Sequence, residues 1–383
     1  MGELERAVAG GVSYDPRMLL SLLLFALLDG ERSSRRIERR CRFDARYRLI
    51  TGGLVPDHNT LARFRRRLGP VLPDLFQQVI ARAKERGLVK NRAVALDGTK
   101  MLSSASQWKR ALEEAEEADA DVSDPDARTM VSPKGFVTGY NAQAAVDMET
   151  GMVLASEVTN QANDRPHLRS MLDRLTQAVG PPGELAADEG YAGATNAQAL
   201  HEKGVVGYIT ESEKVWRLND QGEVVCPQGH TIRRQGCTTG KPGFRYMRFA
   251  VRKCPSCPAR CHEGRIRWLK VPVEMDPAVW IAQQERSKSE KGKRMAAARS
   301  GTVERFFGNL KGNLGFRRFL LKGLDGANLE FTLACLAYNL RRLRRRLARI
   351  LIVGTGLLRV LERGTATLPP TSSTARRTPS LAT

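Results

Sequence analysis

Three stretches of this chain bring a carboxylate to the boundary of a structural element. AVALDGTK (93–100) delivers Asp97, ELAADEGY (184–191) delivers Asp188, and TVERFFGNLK (302–311) carries Glu304 near its start. A lone strand-end Asp followed by Gly is ordinarily a turn residue. Three acids at three boundaries point instead to one shared site. Carboxylates gathered within a few ångströms repel one another unless cations lie between them, and their hard oxygens suit Mg²⁺ or Mn²⁺ better than zinc. Two such ions, about 3.5–4 Å apart, clamp a phosphodiester for in-line displacement. The chemistry expected of Asp97, Asp188 and Glu304 is therefore metal-dependent cutting and joining of a phosphodiester backbone. The sequence contains no GxSxG, no Cys–His arrangement and no GxxxxGK[ST] loop, so neither a covalent nucleophile nor ATP hydrolysis is indicated.

The elements that must position these acids read as a mixed α/β sheet flanked by helices. Asp97 and Asp188 each close a short apolar strand. Between them, Lys134 to Thr159 alternates as a hairpin that turns at Gly151, with Asp147 in a structural place beside the turn. Asn163-Asp164 read as the N-cap of a helix running through Leu175. A helix over 195–203 and the strand VVGYIT (205–210) follow. Glu304 begins a helix whose face also carries Lys311 two turns later. A last helix places Leu329, Leu333, Leu336, Leu340, Leu343 and Leu347 on one apolar face.

Ahead of the sheet, helices are expected from Pro16, from Ser33 or Ser34 (SRRIERRCR), from Pro56-Asp57 (PDHNTLARFRRRL) and from Asp74 to Arg86. The chain thus divides into an all-α domain (1–90), a first core segment (91–215), a cysteine-rich insertion (216–285), a second core segment (286–350) and a disordered Thr/Ser/Pro-rich tail (351–383). The acidic stretch 107–126 reads as a solvated, partly helical insertion.

Sixty-two Lys and Arg against 41 Asp and Glu give a net charge of +21, an excess that favours a polyanionic partner, here double-stranded DNA. Arg35, Arg36, Arg63, Arg65 and Arg66 crowd the N-terminal helices, and Arg317, Arg318 and Lys322 surround Phe316 and Phe319. The apolar run Met18 to Leu28 is too short to span a bilayer and has no cleavage site behind it. The reading is a cytoplasmic, nucleoid-associated protein without a membrane partner. Of seven cysteines, Cys41 and Cys335 stand alone as inert core residues. Five fall between Cys226 and Cys261. The spacing of Cys254, Cys257 and Cys261 suits a closed structural zinc site, with Cys226 as fourth ligand and Cys237, His230 and His262 as alternatives.

Together, YDPRMLL (14–20), SSRRIERRCR (33–42), PDHNTLARFRRR (56–67), LDGTK (96–100), GYNAQAAVD (139–147), TNQAND (159–164), ADEGY (187–191), the cysteine cluster, TVERFFGNLKGNLGFRRFLLKG (302–323) and LACLAYNLRRL (333–343) resemble the DDE transposases of bacterial insertion sequences. The resemblance covers most of residues 14–350. It implies an RNase H-like core, Asp97, Asp188 and Glu304 as the triad, two Mg²⁺ or Mn²⁺ ions, and Lys311 and Arg299 as basic contacts to DNA. It further implies a homodimer on DNA that cleaves element ends and transfers the freed strand. Glu189 departs from the small residue usual after the second Asp, and members extend further before YDPRM, so a copy clipped at its N-terminus is expected. The rival readings are a catalytically inactive, truncated DNA-binding derivative and a stand-alone nuclease without strand joining.

Overall fold

The apolar run of β1 (Ala93–Leu102) lies in the middle of a seven-stranded sheet. The computed structural model describes residues 14–104, 120–121, 124–132, 135–210, 217–219, 221–226, 228–239, 244–251, 257–258, 264–273 and 276–364, with side chains described as far as residue 343. On one side β1 pairs antiparallel with the long strand β4 (Gly135–Asp147), Asp97 standing opposite Ala144. On the other it pairs in parallel with β6 (Glu184–Ala187), which in turn pairs in parallel with β7 (Val206–Ile209). The short β2 (Ala120–Asp121) and β3 (Asp124–Ser132) continue the sheet beyond the first half of β4, while β5 (Val153–Thr159) pairs with its second half. This is the mixed α/β sheet of an RNase H-like fold.

Alternation within β1 and β4 sorts the chemistry onto two faces, since successive strand residues point opposite ways. Ala95, Asp97 and Thr99 share one face with Ala142 and Ala144; Gly98 and Lys100 share the other with Asn141 and Gln143. The small side chains of the first face let α9 (Glu290–Gly312) lie close on the sheet, with Val303, Phe306 and Leu310 buried beneath it. The second face is covered in part by α6 (His167–Val179), which packs on β4, β5 and the N-terminal helix α5 (Leu72–Glu85). Helix α9 begins at Glu290, capped by Ser289, so Glu304 stands in mid-helix and not at its start.

The free edge of β5 is closed by side chains. Asn328 and Asn339 of α10 (Gly323–Gly364) each make a pair of hydrogen bonds to its backbone: Val158 N–H donates to Asn328 Oδ1 at 2.8 Å and Asn328 Nδ2 donates to Val158 O at 3.0 Å; the same pair at Val153 and Asn339 measures 2.9 and 2.7 Å. Five strand residues at about 3.3 Å and eleven helix residues at about 1.5 Å both come to about 16 Å, which is why one helix can meet the strand twice. Asp147 behaves as its place beside the turn suggested: its carboxylate accepts four backbone N–H groups, from Glu149, Thr150, Lys90 and Asn91.

Helices α1 (Pro16–Leu28), α2 (Ser34–Phe43), α3 (Ala45–Thr51), α4 (His58–Arg67) and α5 join the sheet in one compact unit ending at Asn339. A buried ionic group makes the joint. Glu330 of α10 faces Arg32 at 3.4 Å and Arg65 at 3.9 Å, and it also accepts the backbone N–H of Leu320 at 2.6 Å. The α3 helix was not anticipated; Asp44 caps it, accepting Arg46 N–H at 3.0 Å, and Gly52 ends it in the left-handed region.

The end of the acidic stretch is strand and not partly helical, with Asp124 buried and Asp126 exposed. Asp124 and Asp126 lie on β3 and receive the backbone N–H groups of Gly323 and Leu324, where the amides opening α10 favour negative charge. Residues 105–119 of that stretch lie outside the described residues. Two small sheets occupy the cysteine-rich segment, β8 (Arg217–Leu218), β9 (Val224–Val225) and β10 (Thr231–Ile232), then β11 (Arg234–Thr239), β12 (Phe244–Ala250) and β13 (Ile266–Pro272). A second unit begins at Leu340, its described part helical through Gly364 where a tail from 351 was expected. Leu351, Leu357, Leu358 and Leu361 are helix formers within that extension.

Candidate active site

The parallel register of β1 and β6 sets Ala95 opposite Ala186. Two residues further along, just beyond the paired stretch, stand Asp97 and Asp188 on adjacent strands. Asp188 follows the end of β6, whereas Asp97 lies in the middle of β1 and does not close it as expected, because pairing with β4 carries the strand on through Gly98 to Leu102. Asp188 ends the extended run and caps the 3₁₀ turn Glu189–Tyr191, accepting Gly190 N–H at 3.0 Å. Asp97 accepts the N–H of Gly98 at 2.8 Å. Burial pushes the Asp97 carboxyl up to about 6, a rise that Arg299 opposes and neighbouring Asp188 reinforces. Asp188 is raised as well, again by burial first, with Arg299 opposing and Asp164 adding to it. Desolvation and neighbouring carboxylates thus oppose the charged form of both acids, and a nearby cation would favour it.

A protein cation already answers that demand in part. Arg299 of α9 donates from its guanidinium to Asp97 Oδ2 at 2.7 Å, its side chain only 14% exposed. Arg299 was expected on DNA; the structure turns it inward. Lys311, three turns further on the same helix, donates to Thr99 Oγ1 at 2.6 Å. Glu304 lies on the flank of α9 shared by Ser300 and Lys311, exposed, accepting a hydrogen bond from Ser300 Oγ at 2.5 Å. The structure thus brings Asp97 and Asp188 together and leaves Glu304 apart from them. Among the described residues no three His, Cys, Asp or Glu side chains converge as a metal site.

On the opposite face of β1 lies a second polar group that sequence reasoning missed. Asp164 accepts hydrogen bonds from Asn141, Gln143 and Lys100, and the buried Tyr191 hydroxyl donates to Gln143 Oε1. Burial and the surrounding carboxylates hold the Tyr191 phenol well above its usual range. One signal was present: Asn141 and Gln143 are polar positions inside an otherwise apolar run, and both are fully buried.

Of the other basic residues expected on DNA, Arg35, Arg63, Arg66, Arg317 and Lys322 are exposed and Arg318 is half-buried. Arg36 is exposed beside Glu31 at 3.0 Å. Arg65 is buried against Glu330 and Arg32 O, because a short basic helix packing on the sheet domain must turn one face inward. Cys226 packs among Val224, Met247, Phe249 and Trp280. Cys257 is half-buried, Cys237 and His230 are exposed, and Cys254, Cys261 and His262 lie outside the described residues. Cys41 and Cys335 are core residues, burial pushing the Cys41 thiol up to about 11. No described helix is long and apolar enough to cross a membrane.

Comparison with protein families gives two matches. Residues 225–344 match the family described as a transposase DDE domain, a span that contains Glu304, Lys311 and Arg299 but neither Asp97 nor Asp188. Residues 3–67 match the transposase domain DUF772. No curated protein matches the chain.

Proposed function

Since the chain belongs to the DDE transposases of insertion sequences, we propose that Asp97, Asp188 and Glu304 are the carboxylates with which it cuts DNA at element ends and joins the freed strand to a target. The observation that carries this reading is the placement of Asp97 beside Asp188, both raised by burial, with the guanidinium of Arg299 against the first. The donor set fits a hard divalent cation: two carboxylates whose charge the protein only partly neutralises. Bound Mg²⁺ or Mn²⁺ would supply Lewis-acid activation and offset charge developing on the phosphate.

The chain's own groups do the rest. Asp97 and Asp188 would hold the ions from adjacent strands, with Glu304 of α9 as the third ligand. A cation taken by Asp97 would displace Arg299 from that carboxylate, and the forked guanidinium would then be available to a phosphate. Lys311, braced on Thr99, places a second positive charge nearby. Arg35, Arg36, Arg63, Arg66, Arg317, Arg318 and Lys322 hold the duplex by its backbone charge, and Arg65 serves the fold. A homodimer on DNA belongs to the same proposal. A zinc knuckle around Cys254, Cys257 and Cys261 rests on their spacing, with Cys226 left to the apolar cluster.

The test uses a supercoiled plasmid carrying the gene with its flanking DNA, the purified full chain and Mg²⁺. Nicking at the flanks followed by joined products is expected, abolished in Asp97→Asn and Glu304→Gln. DNA binding without nicking by the wild type would favour the inactive derivative, and nicking without joined products the nuclease.

A further inference from the structure

Asp164 stands just ahead of α6, where His167 N–H donates to its backbone carbonyl at 3.0 Å. Its carboxylate does not cap the helix. It is turned into the sheet, where Oδ1 accepts Asn141 Nδ2 at 2.6 Å and Gln143 Nε2 at 2.7 Å, and Lys100 Nζ lies 3.3 and 3.4 Å from its two oxygens. Every contact is a donor, which suits a carboxylate; an amide that kept its carbonyl on Asn141 and Gln143 would turn its NH₂ group towards Lys100 and Gly190.

Two glycines complete the pattern. A Cβ on Gly98, the residue after Asp97, would stand 2.8 Å from Asp164 Oδ1 and 2.3 Å from Gln143 Nε2. A Cβ on Gly190, two residues after Asp188, would stand 3.2 Å from Asp164 Oδ2 and 3.0 Å from Asp188 Oδ1. Neither glycine has a positive φ, so what each position requires is room and not an unusual turn. One oxygen of Asp164 fills the space beside the first aspartate's backbone, and the other fills the space beside the second's.

We infer that Asp164 is a positioning residue for the reaction: wedged between the backbone following Asp97 and the turn following Asp188, it sets the separation of those two carboxylates. Its own oxygens are taken up by Asn141, Gln143 and Lys100, so it acts through the aspartates. This rests on the reading that Asp97 and Asp188 hold a divalent cation.

Mn²⁺ binding to the full-length protein, followed by electron paramagnetic resonance, tests it, counting only the binding that Asp97→Asn removes. Asp164→Asn is expected to melt cooperatively and to bind Mn²⁺ at least tenfold more weakly, with a broadened bound-ion spectrum. Lys100→Met combined with Asp164→Asn should not restore the affinity. Wild-type affinity in Asp164→Asn overturns the inference, as does recovery in the double variant, which would reduce Asp164 to a counter-charge for Lys100. Should Asp164→Asn fail to fold, Gly98→Ala pushes on the same carboxylate from the β1 side. The same loss is expected there, and unchanged affinity overturns the proposal. Wild-type protein that binds no Mn²⁺ overturns the reading of the active site itself, a different result from binding that the variants share.

Discussion

At the scale of single residues, the proposed site is a contest between carboxylates and the cations offered to them. Asp97 titrates at about 6 in the fold, above its ordinary 3.8, with burial as the main cause. A carboxyl raised by folding favours the folded state while it is protonated. Its contribution is full below about pH 3.8 and is lost as pH rises through about 6. In thermal melts without divalent ions, wild type should lose stability relative to Asp97→Asn across that window, and added Mg²⁺ should restore it increasingly from pH 6 upward. Melting curves of the two proteins that stay parallel from pH 4 to 7 would remove the premise. Arg299 supplies a second test at this scale. Its guanidinium competes with a metal for Asp97, so Arg299→Ala should bind Mn²⁺ about tenfold more tightly, equivalent to about 1.4 kcal/mol, while cutting DNA less well. Equal Mn²⁺ affinity in isothermal titration would show that the two cations do not compete.

Between elements, the site depends on how α9 and α10 meet the sheet. The two-point clamp of Asn328 and Asn339 on β5 supplies the hydrogen bonds that an unpaired strand edge would otherwise offer to another chain. Asn339 is fully buried. Asn339→Leu should strand the N–H and C=O of Val153, costing about 2–5 kcal/mol, read as a lowered denaturant midpoint and a rise in aggregation. Glu330 is a sharper case, because it balances two guanidiniums inside the protein and burial works against both charges. Glu330→Gln should destabilise by about 3–5 kcal/mol, loosening the N-terminal helices from the sheet. A loss under 1 kcal/mol would mean that water reaches Arg32 and Arg65.

At the scale of the whole molecule, the charge of +21 makes DNA affinity a steep function of salt, with log K falling linearly against log salt concentration. Lys311→Ala should lower affinity for all sequences and reduce that slope by about one, whereas Arg65→Ala should leave the slope unchanged and lower stability instead. A slope shift in Arg65→Ala would return that residue to the DNA surface.

What was legible from residue order was whatever rests on local chemistry: which runs are strands, that Asp188 ends one, which helix carries Lys311. That β1 runs on past Asp97 to Leu102 was decided by its pairing with β4. Asp97 and Asp188 could be read because an apolar run stopped by an acid and a glycine is a local pattern, and the mixed sheet followed from how such runs alternate. Partners hundreds of residues apart were decided by packing alone. Arg299 and Arg65 look like any surface arginine in a basic helix, yet the close approach of α9 to an alanine-lined face and of α4 to Glu330 turns both inward. Asp164 looked like a cap until the sheet set Gly98 and Gly190 beside it. Periodicity assigns a side chain to a face; only the assembled fold sets what lies across from that face, and with it whether a charge meets water, a phosphate or another charge.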